Sequence, residues 1–186
     1  MADVLLVGAS GFLLLANAAT LRTVALLADV TVPPEEARTN WPAAREALEP
    51  WLERADIVIS TEELGQLYFL GRYDVRFSPS KLAELDPEER HEFALDHRTG
   101  RPVISTIESL DRIFECYPSG IIVGPASHWG RAVLINSEVA ALITNHTRPL
   151  ELPRRSGLRA SIWEHPIASP PSLRCQGLPS FAHQSG

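Results

Sequence analysis

Lysine is almost missing from this chain: of its 17 basic residues only Lys81 is lysine, and 23 acidic residues outnumber them. A net charge of −6 and a pI near 5.5 exclude the basic face of a nucleic-acid binder, so no nucleic-acid partner is expected. Cysteine is scarce as well. Cys116 and Cys175 make neither a CxxC pair nor a metal-ligand spacing, and the six histidines include no HxH and no HExxH. No metal and no cofactor is expected. The absence of G-x-x-x-x-G-K-[ST] and of G-x-S-x-G removes a P-loop and a hydrolase nucleophile turn. With Cys116 on an expected helix and Cys175 in an expected tail, two unpaired thiols are favoured over a disulfide, and the cysteines do not settle the redox compartment.

What is present is organised around Ala55–Arg72, ADIVISTEELGQLYFLGR. Ile57, Val58 and Ile59 form a β-branched run that reads as a buried strand. Ser60 and Thr61 then offer a helix cap, and Glu62 and Glu63 place carboxylates in a first turn, at the positive end of the helix dipole. Leu64, Leu67, Tyr68 and Leu70 recur at helical spacing, and Gly71 is a stop. Strand, polar turn, helix and glycine make half of a βαβ unit, with Tyr73–Phe77 as the next strand.

In chain order, Val4–Leu27 carries a single charge, Arg22, and as a helix would measure about 36 Å, enough to cross a hydrocarbon core of about 30 Å. Only Asp3 precedes it, unlike the positive flank of a signal peptide. A membrane helix over 4–27 is expected, its small residues Gly8–Gly11 suited to packing against another such helix. Residues 28–40 read as a Pro-containing linker. Asn40 caps a helix through Ala43–Leu48, which Pro50 interrupts. Lys81–Arg98 is dense in charge and reads as a solvated helix or excursion. Val103-Ile104-Ser105 is a third strand, with Ser105 or Thr106 capping a helix over Ile107–Cys116; Ile121–Gly124 is a fourth strand, and a helix is expected over His128–Ile143. The α/β domain is thus placed at 41–152, with 153–186 a Pro/Ser/Arg-rich, disordered tail in which only Leu158–Trp163 could add a terminal strand.

The predicted fold is α/β: a small Rossmann-like parallel or mixed sheet with flanking helices, preceded by one N-terminal membrane-type helix. Ligands of such sheets sit beyond the carboxyl ends of the strands. The candidate ligand-edge residues there are Ser60, Thr61, Glu62, Ser105, Thr106, His128 and Trp129, together with Ser78-Pro79-Ser80 and Gly124-Pro125. Their hydroxyls also read as plain helix caps. Glu62 and Glu63 diverge by about 100° on a helix and cannot act as a paired acid and base. No catalytic residue is assigned.

Two resemblances carry what the residues imply about function. VLLVGASGFLL is similar to the first strand and glycine turn of an extended short-chain dehydrogenase, which would imply a nucleotide-binding Rossmann-like oxidoreductase using Gly8–Gly11. Against it, the third glycine position is Leu14 and the Tyr-x-x-x-Lys pair is missing, since Phe77 stands four residues before the only lysine. The order of an apolar helix, a Pro-rich linker, Asn40-Trp41-Pro42-Ala43-Ala44, a helix and Leu67-Tyr68-Phe69-Leu70-Gly71-Arg72 resembles instead the end of a bacterial family-39-type polytopic glycosyltransferase over residues 4–150. Relatives of that kind include protein O-mannosyltransferases and aminoarabinose transferases. This resemblance implies a non-catalytic C-terminal extracytoplasmic domain, held at the cell membrane, of a transferase that takes sugar from a polyprenyl-phosphate donor. Its partners would be the lipid bilayer, upstream membrane helices of the same transferase and the lipid-linked sugar donor. The family's catalytic acid lies in a loop between membrane helices not matched here, so none carries over. A membrane-anchored interaction module is the remaining alternative.

Overall fold

Asn40 turns the chain into its first helix by accepting a hydrogen bond from Ala43 N at 3.2 Å, with Pro42 in the first turn where no amide partner is needed. The computed structural model describes residues 39–85, 88, 91–130, 134–166, 173–179 and 181. The membrane helix expected over 4–27, the linker as far as residue 38 and the Gly8–Gly11 turn lie outside them. Among the described residues no helix is long and apolar enough to cross a membrane.

The elements are α1 (Trp41–Arg54), β1 (Ile57–Ser60), α2 (Glu63–Leu70), β2 (Val75–Phe77), α3 (Pro79–Ala83), β3 (Ala94–Leu95), β4 (Pro102–Ile104), α4 (Ile107–Cys116), β5 (Ser119–Pro125), α5 (Ser137–His146), β6 (Arg148–Leu150) and β7 (Leu158–Glu164). One seven-stranded sheet runs in the order β3-β4-β2-β1-β5-β7-β6. Strands β4, β2, β1 and β5 are parallel; β3, β7 and β6 are antiparallel to their neighbours. The mixed α/β fold expected from the alternating pattern is therefore present. The chain steps from β1 through β2 to β4 and then crosses back to place β5 on the other side of β1, so the strand order reverses between β1 and β5.

Strand pleating sorts the core into two layers. Val58, Ile121, Val123, Ala160 and Ile162 face Trp41, Ala44, Leu48 and Trp51 of α1, with Leu67 and Leu70 of α2 packed alongside. Ile57, Ile59, Ile122 and Trp163 face Leu110, Ile113 and Phe114 of α4 and Val139 and Ile143 of α5. Both faces of β1 and β5 are covered, which is why those strands read as continuous apolar runs.

Several boundaries differ from the expectation. Helix α1 runs through Pro50 to Arg54: the carbonyl that Pro50 leaves unbonded belongs to exposed Glu46, where water can satisfy it. The segment 128–143 is not one helix; Ala126–His128 forms a short 3-10 turn, and α5 starts at Ser137 because Asn136 accepts from Val139 N at 2.9 Å. The supposed disordered tail after Leu152 is the largest departure, although the terminal strand left open at Leu158–Trp163 is present. Leu158–Glu164 pairs with β5 along seven residues and holds edge strand β6, whose Pro149 suits an edge position. Leu173–Cys175 is then tied to α4 by a disulfide between Cys116 and Cys175, with Cα atoms 5.4 Å apart, so the expectation of two free thiols is overturned. Arg174 reinforces that junction through Glu115 and Asp111. Spacing in sequence carried no sign of this contact, 59 residues away.

Arg72 joins the two halves of the first βαβ unit. Its guanidinium donates to Leu52 O and Ala55 O at the end of α1 and to Asp74 Oδ2 at 2.8 Å, while that same oxygen accepts from Val58 N at 2.8 Å in β1. Arg72→Met removes the guanidinium donors and leaves the mostly buried Asp74 with the Val58 amide but no cation; a loss of about 3 kcal/mol is expected, read as a fall in the urea midpoint at unchanged slope. Arg72→Lys should recover only part of it, because a point charge cannot reach acceptors on three sides.

Candidate functional site

A cleft of about 420 Å³ opens at the carboxyl ends of the parallel strands, lined among others by Thr61, Glu62, Glu63, Arg76, Lys81 and His128. Its position follows from topology, since it lies beyond the carboxyl ends of the parallel strands, beside the point where the strand order reverses. Thr61 continues β1, its amide donating to Val123 O at 3.0 Å. Its hydroxyl meets His128 Nδ1 at 3.0 Å, bringing the β1 and β5 loops together. Gly124 permits this approach: a Cβ there would lie 1.7 Å from Thr61 Oγ1.

The cleft floor is an ion cluster. Arg76 stands in β2 between Val75 and Phe77, so pleating turns it to the opposite face, toward α2. There it donates to Glu63 Oε1 at 2.7 Å, and Arg98 reaches the same oxygen at 2.5 Å. Asp96 lies 3.7 Å from Arg76 and 3.5 Å from Arg98. Its Oδ1 also accepts Arg98 N at 2.9 Å, in a tight turn that Gly100 closes. Burial opposes ionisation of Asp96, but the hydrogen bonds and charge of Arg98 outweigh it and hold the carboxyl below its ordinary pKa. Lys81 is buried, with Nζ 2.6 Å from Glu84, and the hydrogen bond and charge of that ammonium lower the Glu84 pKa. Three cations and four carboxylates thus surround the cleft, so no single sign of charge prevails.

Of the expected ligand-edge residues, Thr61, Glu62 and His128 come together in this cleft. Ser60 sits beneath it, accepting from Glu62 N at 3.1 Å and donating to Glu62 O at 2.6 Å. Ser105 and Thr106 do not join: Thr106 caps α4 through Ser109 N at 3.1 Å, the plain role its hydroxyl allowed. Trp129 is bridged through its backbone to Ile135 and packs against the second core layer instead, with Arg159 over its ring. Glu63 was expected only to favour the helix dipole, and Arg76 was not singled out; Asp96, Arg98 and the burial of Lys81 were missed because 81–98 looked like a solvated run. One signal was available: a lone arginine alternating with Val75 and Phe77 in a short strand.

The chain matches no protein-family model, no curated protein and no solved structure. Geometry alone must therefore limit the chemistry. Thr61 and His128 are the nearest pair to a nucleophile and base, yet Thr61 is only 1% exposed and walled in by Gly124. The amides at the start of α2, where a dinucleotide phosphate would bind, already hold the Glu62 carboxylate at 3.0–3.1 Å. Among the described residues no three His, Cys, Asp or Glu side chains gather to hold a metal. The arrangement is suited to a neutral polar ligand that needs donors and acceptors at once.

Glu63→Gln leaves Arg76 facing an amide in a buried setting. It should cost about 2–3 kcal/mol, less than the 3–5 kcal/mol of a fully buried pair because Arg98 is partly exposed, and chemical denaturation measures it. Because the folded pKa of Asp96 is depressed, its contribution is complete above the unfolded carboxylate range near pH 4 and is lost as pH falls through the folded value. The Asp96→Asn variant should accordingly show a shallower acid-induced loss of stability than the parent below about pH 4.

Proposed function

We propose that this chain is the non-catalytic extracytoplasmic α/β domain of a membrane glycosyltransferase that takes sugar from a polyprenyl-phosphate donor, with residues 4–27 as a membrane segment. The observation that carries the reading is the Cys116–Cys175 disulfide, because such bonds persist in oxidising compartments and are rare where thiols are kept reduced. The residues of the resemblance also have defined work in the fold, which supports the match as one of architecture. Asn40 caps α1, Trp41 and Ala44 are buried against the sheet, Gly71 ends α2 with φ +76°, and Arg72 clasps α1 to Asp74. The cleft fits a supporting part, since its one hydroxyl–imidazole pair is closed to substrate and its charges are paired internally.

Two measurements test this. Carbonate extraction of membranes containing the full chain should leave it in the pellet; complete release overturns the membrane assignment. When the chain is made on the secretory route, Cys116 and Cys175 should resist maleimide under denaturing conditions until a reductant is added, and labelling without reductant removes the support for an extracytoplasmic domain. A Cys116→Ser/Cys175→Ser double variant should lose about 4 kcal/mol by loop-closure entropy for a separation of 59 residues.

A further inference from the structure

Helix α2 is apolar on both sides. Leu67 and Leu70 pack inward against the α1 layer, whereas Leu64 is 59% exposed, Tyr68 82% and Phe69 37%. A surface helix ordinarily carries charge on its outer face. Here the five residues from Leu64 to Tyr68 contain none, and Phe69 meets the Tyr68 ring edge-on at 4.8 Å, which holds the two aromatics as one patch. The helix also lies where the described chain begins: Trp41 of α1 packs so closely on Gly65 that a Cβ there would fall 2.3 Å from the indole nitrogen.

We infer that the outer face of α2 docks on a lipid bilayer surface, with Leu64, Tyr68 and Phe69 as the inserted residues. This rests on the proposal that residues 4–27 span a membrane. The thirteen residues 28–40 reach at most about 45 Å when fully extended, so an anchor over 4–27 leaves α2 within reach of the headgroups. Tyrosine and phenylalanine beside leucine suit the interface, where an aromatic ring is buried and a phenol stays wet. A second copy fits less well: the three partly exposed side chains offer on the order of 400 Å², about half of what one partner contributes to a standard stable interface. The shallow insertion of a tethered helix needs no more area than this, since the anchor supplies the rest of the affinity.

The test uses the full chain with its disulfide intact, reconstituted in zwitterionic phosphatidylcholine vesicles. A nitroxide is placed through Tyr68→Cys, or, as control, through Ala141→Cys on exposed α5 in the opposite layer. Lipid-soluble oxygen should relax the label at 68 several-fold more, relative to a water-soluble nickel chelate, than it relaxes the label at 141. Equal, water-like ratios at both positions in chain that survives carbonate overturn the docking while leaving the anchor standing. A lipid-like ratio at 68 in carbonate-extractable chain sustains the docking and removes the anchor. A water-like ratio in extractable chain removes both, and dipolar broadening at 68 that grows with protein concentration assigns the face to a second copy and overturns the inference.

Discussion

One guanidinium sets how this fold is put together. Arg72 follows the left-handed Gly71 and so emerges beneath α1, where two carbonyls at the end of that helix would otherwise lack partners. Asp74 fixes the arginine and at the same time takes the Val58 amide of β1. Helix α1, strand β1 and the entry to β2 are therefore aligned by a single salt bridge, both of whose side chains are mostly buried. A pair in that position gives geometry more than net stability, since desolvation offsets much of its attraction. The geometry matters because β1 is the strand from which the parallel sheet is built outward in both directions.

The same logic at the other end of β1 produces the cleft. Parallel strands finish with their carboxyl ends together, and ligand crevices open beyond those ends near the point where the strand order reverses. The space so opened is lined by whatever follows each strand: a threonine and two glutamates after β1, serines after β2, a histidine after β5. Glu63 and Asp96 lie low enough to need cations, and Arg76 and Arg98 supply them across α2, β2 and the turn after β3. A free anion entering here would have to displace Glu63 from its arginines, and a free cation would have to displace the arginines from Glu63. The internal pairing thus selects against either kind of ion without needing a wall to exclude it.

The parts of the molecule legible in the sequence were those decided within about ten residues. Ile57–Ile59 as a buried strand, Gly71 as a helix stop, Thr106 as the cap of α4 and the apolar stripe Leu110, Ile113 and Phe114 all rest on local periodicity and capping. The rest was settled by partners far away in the chain. Pro50 reads as a helix break until exposed Glu46 is known to have water for its carbonyl. Lys81 and Asp96 look solvated because nothing near them shows that α3 and the 96–100 turn fold against Arg76 and Glu63. Leu158–Trp163 could be read as a terminal strand, but not where it would pair: its place beside β5 involves distant partners, such as Gly120 leaving room for the Trp163 ring. The disulfide is the extreme case, joining residues 59 apart in sequence, one at the end of α4 and the other beyond β7.

Helix α2 links the cleft to the exposed apolar face, and this constrains what either can do. Glu62 and Glu63 occupy its first turn at the cleft, while Tyr68 lies five residues further on, about 7.5 Å along the axis. Any surface that covers Leu64 and Tyr68 therefore comes within roughly one and a half turns of the cleft mouth. If that surface is a bilayer, a ligand reaches the cleft from the interfacial layer. The molecules concentrated there have polar heads that offer hydroxyls and amides as well as charge, and these a balanced set of carboxylates, guanidinium groups and hydroxyls can hydrogen-bond without breaking its own ion pairs. A bulk-phase ion gains nothing from that location and must still disrupt the Glu63 cluster to bind. The charge balance of the cleft is what favours a neutral, polar ligand, and the docking inferred for α2 would add only where such a ligand is met.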